Sequence, residues 1–112
     1  MKINKYKKVG KNKYKVYFDN NEIILFEDVI LKYDLLLLKD VSLELLDKII
    51  NENKFYEAYD MSLSYIETKM RNRKEIYNYL NKKNYKEDLI NEVINKLTSL
   101  KILDDRQYIS SF

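Results

Sequence analysis

The sequence predicts an α+β protein: a small amino-terminal antiparallel β-hairpin or meander, then a mainly α-helical region. Three observations predict it. β-Branched and aromatic residues crowd the first 26 positions in short runs parted by turn formers. From residue 42 onward, apolar residues recur at helical spacing. No proline interrupts either pattern, and Gly10 is the only glycine.

The elements follow in order. Tyr14-Lys-Val16-Tyr-Phe18 and Glu22-Ile-Ile-Leu-Phe26 read as strands, with Asp19-Asn20-Asn21 as the hairpin turn. Ile3–Lys8 reads as a third strand, turned at Gly10. A lone hairpin is marginal in water, so a third strand or a helix must support it. Glu27–Tyr33 fits one short helix with Val29, Ile30 and Tyr33 inward. Ser42 is placed to cap a helix that opens Leu43-Glu-Leu45-Leu46, with Ile49 and Ile50 continuing the face. A break or bend is expected near Asn51–Asn53, after which Ala58, Met61, Tyr65 and Ile66 keep helical spacing.

Asn72 is a good N-cap, and Glu75 occupies the reciprocal capping position three residues on. Ile76, Tyr79 and Leu80 form that helix's apolar stripe. The next helix starts at Asn84 or Lys86 and points Leu89, Ile90, Val93, Ile94 and Leu97 inward. Asp104 then caps a last short helix carrying Tyr108 and Phe112. The expected domains are a β-rich segment 1–41 and a helical region 42–112.

At 112 residues the chain is one domain or two very small ones. A chain of this size buries roughly 65% of the surface exposed when unfolded, enough for a modest core. The absence of Cys removes thiolate nucleophiles, disulfides and Cys-ligated zinc, and suits a reducing cytoplasm. The absence of His removes the usual general base and the commonest metal ligand. No Gly-rich phosphate loop is available, no apolar run approaches a membrane span, and no signal peptide is visible. The expectation is a non-enzyme without cofactor or metal. The pair Asp104 and Asp105 suits helix capping better than Mg²⁺ binding.

Net charge is +3, but unevenly spread. Lys2, Lys5, Lys7, Lys8, Lys11, Lys13 and Lys15 precede the first acid, and their plainest reading is a solvated face. Lys69, Arg71, Arg73 and Lys74 lie before and at the start of one helix, and Lys82, Lys83 and Lys86 lie at its end. At ~1.5 Å rise per residue the two clusters stand roughly 15 Å apart. That spacing suits a phosphate backbone or an acidic protein groove, without base-specific reading. Tyr77, Tyr79 and Tyr85 interleave with these cations, and base stacking is conceivable there. These seven cations are the candidate contact residues.

The run from Ala58 through Ile66, then Lys69-Met-Arg71-Asn-Arg-Lys-Glu75-Ile76 and Leu80, resembles the first repeat of the RecX family, regulators of the RecA recombinase. Ile90, Val93, Ile94, Leu97, Leu100 and Ile102-Leu103-Asp104-Asp105-Arg-Gln-Tyr108 are similar to the family's following helix and its Asp-Asp turn. The amino-terminal strands and Leu35–Asp40 are similar to the extension of longer, Gram-positive-type members. Lys69 stands where the family has Arg, Met70 replaces a frequent proline, and Ile109 replaces Ala. Lys69 cannot make the two-pronged contact of a guanidinium.

The resemblance implies one three-helix repeat over about 56–112, where members generally carry three in tandem. The chain reads as an amino-terminal portion of such a protein or as a short member. The resemblance further implies an inhibitor of RecA filaments in homologous recombination and the SOS response, contacting RecA and the single-stranded DNA inside the filament. A monomer is expected. The alternative is a helical nucleic-acid-binding module with no filament partner. A third reading is a structural interaction domain using exposed tyrosines.

Overall fold

The computed structural model describes residues 1–103. Its elements run β1 (Ile3–Gly10), β2 (Lys13–Phe18), β3 (Glu22–Phe26), α1 (Glu27–Lys32), α2 (Leu43–Thr68), α3 (Arg73–Lys82) and α4 (Glu87–Ser99). This is the α+β architecture expected. Two compact units divide the chain, Met1–Tyr56 and Glu57–Phe112, so α2 passes from one into the other. The first half of α2 therefore belongs with the β-rich part, which composition alone had ended at residue 41.

In the amino-terminal unit the three strands form an antiparallel meander in the order β1-β2-β3. Its register sets Tyr6 opposite Val16 and Lys7 opposite Lys15, then Val16 opposite Ile23 and Tyr14 opposite Leu25. Alternation along the strands sends Val16, Phe18 and Leu25 into a core with Val29, Ile30, Leu35, Val41 and Ile49. The loop after α1 reaches back to β1: Ile3 N–H donates to the Lys39 carbonyl at 2.9 Å, and the Tyr6 hydroxyl donates to the Leu35 carbonyl.

The Gly10 turn differs from its sequence reading. Gly10 pairs with Lys13 inside the ladder, and Lys11-Asn12 make the turn. Gly10 has no positive φ, so the conformational freedom of glycine is not what places it there.

Left-handed residues occur elsewhere, at Asp34 (φ 51°), Asn84 (φ 68°) and Lys101 (φ 57°). Each ends a helix in the same way. Leu35 N–H reaches the Ile30 carbonyl (3.0 Å), Tyr85 N–H the Leu80 carbonyl (3.3 Å), and Ile102 N–H the Leu97 carbonyl (3.2 Å). This is the Schellman closure, built here without glycine.

The helix is not broken near Asn51–Asn53: α2 continues through that stretch for 26 residues. Asn53 has a tertiary task instead. Its Oδ1 accepts the Phe26 N–H at 2.9 Å, and its Nδ2 donates to the Ile24 carbonyl at 3.0 Å. It satisfies two main-chain groups on the outer edge of β3 and is itself buried. Ser42 caps α2 as expected, its Oγ accepting the Leu45 N–H at 3.1 Å.

In the second unit Ala58, Ile66, Ile76, Leu80, Ile90, Val93 and Leu97 are buried. Spacings of three and four in α3 and α4, and the run Ala58, Ser62, Ile66 at every fourth position in α2, put these residues on one side of each helix. Leu89 and Ile94 are only half-buried, and Lys86, not Asn84, is the residue preceding α4. The expected Asp104 cap and the helix with Tyr108 and Phe112 lie outside the described residues. No helix among the described residues is long and apolar enough to cross a membrane.

Candidate functional site

The α2–α3 joint is built from short-range hydrogen bonds. Asn72 Oδ1 accepts the Glu75 N–H at 2.9 Å, and Glu75 Oε1 accepts the Asn72 N–H at 3.3 Å. This reciprocal box satisfies donors that a helix start leaves unpaired. It fixes where α3 begins, and so where the neighbouring cations stand.

Arg71 is absorbed into that joint. Its Nη2 donates to Thr68 Oγ1 at 3.0 Å, its Nε to the Tyr65 carbonyl at 3.3 Å, and its Nη1 to Glu75 Oε2 at 3.5 Å. Its guanidinium carbon lies 3.8 Å from the Tyr65 ring centroid, and its side chain is only 17% exposed. A cation at the last carbonyls of α2 also meets the negative end of that helix dipole. Of the seven candidate cations, Arg71 therefore acts as a brace between α2 and α3.

The brace extends into an aromatic ladder. Tyr65 stacks on Tyr79 with centroids 4.2 Å apart and planes 6° from parallel. Lys83 Nζ stands 5.8 Å from the Tyr79 centroid. Tyr79, expected in the apolar stripe, is half-buried because one ring face is given to Tyr65. A second brace closes the unit where the chain enters α4. The Tyr85 hydroxyl donates to the Glu57 carboxylate and lies 3.4 Å from the Met61 sulfur. Burial, then the Glu57 carboxylate, pushes the Tyr85 hydroxyl far above its ordinary pKa, so it stays a protonated donor.

The other six cations are free to act. Lys69, Arg73, Lys74, Lys82, Lys83 and Lys86 are all exposed, and none has a side-chain hydrogen bond or ion pair among the described residues. They flank α3, whose 10 residues span ~15 Å. Arg73 and Lys74 occupy its first turn, where the helix dipole disfavours cations. Fold stability gives no reason for two positive residues there. Lys82, in the last turn, is favourably placed for the same dipole. The arrangement offers two basic ends joined by a helix, suited to a polyanion.

Sequence reasoning located the capping box and the cations, and missed the Arg71–Tyr65–Tyr79–Lys83 ladder. Tyr65 and Tyr79 lie on different helices, with a loop and a cap between them. No periodicity within either helix signals that two rings meet face to face.

A family model described as RecX, first three-helix domain, matches residues 58–97. That interval holds the second half of α2, α3 and most of α4. The chain is 41% identical over 69 residues to a regulatory protein RecX of Finegoldia magna, covering 62% of this chain and 34% of that protein. It is 30% identical over 113 residues to a regulatory protein RecX of Streptococcus uberis, covering all of this chain and 43% of that protein. Against a regulatory protein RecX of Lactococcus lactis the identity is 33% over 111 residues, covering 98% of this chain and 41% of that protein. The chain thus spans about two fifths of the length of these relatives. A solved structure titled as a regulatory protein RecX shares the fold, with TM-score 0.77 over 98% of this chain and 55% of that one, at 24% identity. From its amino-terminal sheet to α4, this chain belongs to the RecX family.

Proposed function

We propose that the chain acts as a non-catalytic regulator of RecA recombinase filaments, binding RecA and the single-stranded DNA within the filament and inhibiting its growth and activity. The observation that carries this reading is the set of six exposed cations at and beside the two ends of α3, none of them in a side-chain hydrogen bond or ion pair among the described residues. Lys69, Arg73 and Lys74 contact acceptors at one end, and Lys82, Lys83 and Lys86 at the other. Arg71 holds the joint that sets their spacing. Family membership supports RecA as the partner, and the cytoplasm as the place where a monomeric chain meets it.

The test is inhibition of RecA ATPase activity on single-stranded DNA by the full natural protein. The combined variant Arg73→Ala, Lys74→Ala, Lys82→Ala, Lys83→Ala is expected to need at least tenfold more protein for the same inhibition. If that variant folds and inhibits like the wild type, the contact assignment fails. If the wild type binds single-stranded DNA steeply with salt but leaves the ATPase untouched, a nucleic-acid module without a filament partner replaces the proposal.

A further inference from the structure

The outer face of the amino-terminal sheet carries its own pattern of charge and aromaticity. The register builds it in rows: Lys5 beside Tyr17 beside Glu22, then Lys7 beside Lys15 beside Ile24, before the face closes at Phe26, which is buried. The opposite face holds Tyr6, Val16, Phe18 and Leu25 and is committed to the core. Lys5 Nζ lies 4.7 Å from the Tyr17 ring centroid, and Lys15 Nζ lies 6.0 Å from it. Ile24, in the next row, is 48% exposed.

Two ordinary explanations cover only part of this. Lysines on an edge strand blunt sheet-to-sheet aggregation, which accounts for Lys5 and Lys7 on β1. It does not account for Lys15 on β2, the central strand. A plain solvated sheet face mixes both signs, whereas Glu22 is the one acid among the residues sharing this face in β1–β3. Glu22 is spent on Lys15, at 3.5 Å.

We infer that this face binds single-stranded DNA, with Tyr17 as a stacking platform for an unpaired base and Lys5, Lys7 and Lys15 as phosphate contacts. An open sheet bearing an aromatic ring ringed by ammonium groups supplies both halves of what a single strand offers, a flat base and a charged backbone. Lys5 and Lys7 lie two residues apart on one strand, about 7 Å, and so reach successive points along a strand. The ammonium groups over Tyr17 move to phosphate as a base takes the ring. Duplex DNA keeps its bases stacked and meets only the lysines. The surface shares no residue with the α3 cations and needs no RecA, so its failure leaves the proposed function standing.

The experiment is anisotropy of a labelled oligo-dT strand titrated with the chain alone, beside an abasic strand of the same length. Lys5→Ala, Lys7→Ala, Lys15→Ala together should weaken oligo-dT binding at least tenfold and make the slope of log K against log salt shallower by about 2. Tyr17→Thr, which keeps a β-branched residue in the strand, should cost roughly tenfold on oligo-dT and under twofold on the abasic strand. Glu22→Gln should tighten binding by releasing Lys15. The inference is overturned if oligo-dT does not bind. It is overturned equally if the lysine variant binds like wild type, or if Arg73→Ala, Lys74→Ala alone abolishes binding. An equal effect of Tyr17→Thr on both strands removes the stacking role and with it the preference for single strands.

Discussion

The amino-terminal unit is clamped by polar partners far apart in sequence, whereas the α2–α3 joint of the helical unit closes among partners a few residues apart and leaves the longer reach to the Tyr65–Tyr79 and Tyr85–Glu57 contacts. Asn53 clamps main-chain groups of Phe26 and Ile24, 27 and 29 residues away, and Tyr6 reaches Leu35 over 29 residues. In the helical unit the Asn72–Glu75 box closes over three residues, and Arg71 reaches Tyr65, Thr68 and Glu75 within six. A sheet gathers its order through register and cannot do so locally, whereas helices set their ends locally and then pack. The cations follow the same division. In the sheet they are spread by strand alternation over one face, and in the helical unit they are collected at the two ends of α3. One sequence thus presents positive charge as a plane and as a two-ended rod.

The largest test of this contrast is Asn53→Ala. It strands the Phe26 N–H and the Ile24 carbonyl together, at ~1–3 kcal/mol for each buried group left unsatisfied. The expected loss is about 2–4 kcal/mol in urea denaturation, seen as earlier melting of the amino-terminal unit. Asn53→Asp keeps the acceptor for Phe26 and loses the donor to Ile24, so it should fall between. A loss below ~0.5 kcal/mol for Asn53→Ala would remove the clamp from the account of this unit.

The matching break in the helical unit is smaller. Asn72→Ala deletes one local cap, worth ~1 kcal/mol. Asn72→Ser keeps an acceptor and should recover most of it. Thermal unfolding followed by circular dichroism at 222 nm would separate the two variants. If Asn72→Ala proved costlier than Asn53→Ala, local closure would dominate and the contrast drawn above would be reversed.

Legibility in the sequence tracks this locality. The box at Asn72 and Glu75 could be read because both partners sit in one short motif, and Ser42 could be read for the same reason. Asn53 was misread as a helix breaker because Asn has poor helix propensity and its two partners lie on a strand that the helix pattern does not mention. The β-meander was legible through alternation, yet the rows on its outer face needed the register, which a one-residue slip would have changed entirely. The candidate cations were legible as charge. That Arg71 is a brace and Arg73 a free group, two residues on, was not, since it depends on where the Tyr65 carbonyl and ring lie. Glycine misled in another way: Gly10 sits in the strand ladder without a positive φ, beside a register shift, while Lys101 takes the left-handed position that glycine favours. Gly10→Ala and Lys101→Gly should each stabilise, by about 0.5–1 kcal/mol. The added Cβ at Gly10 would meet only the Lys13 side chain at ordinary distances, 3.6 Å and beyond.

The smallest expected effect concerns a surface pair in the amino-terminal unit, also formed across a long sequence interval. Lys32 Nζ lies 2.7 Å from Glu52 Oε1. The hydrogen bond from Lys32 holds the Glu52 carboxyl below its ordinary range, and the same bond raises the Lys32 ammonium above its own. A carboxyl with a depressed folded pKa adds stability that is complete above its unfolded value, ~4.3, and disappears as pH falls through the folded value. A raised ammonium adds stability that is complete below its unfolded value, ~10.4, and disappears as pH climbs through the folded value. The pair therefore contributes across the neutral window and fades at both ends. Because Lys32 is exposed, the contribution is a surface one and screened by salt. Glu52→Gln should flatten the acid limb of the stability–pH curve slightly, and the difference from wild type should vanish in 1 M salt. A Glu52→Gln loss that persisted unchanged at high salt would mean that Glu52 acts through packing and would remove this pair from the polar clamps of the unit.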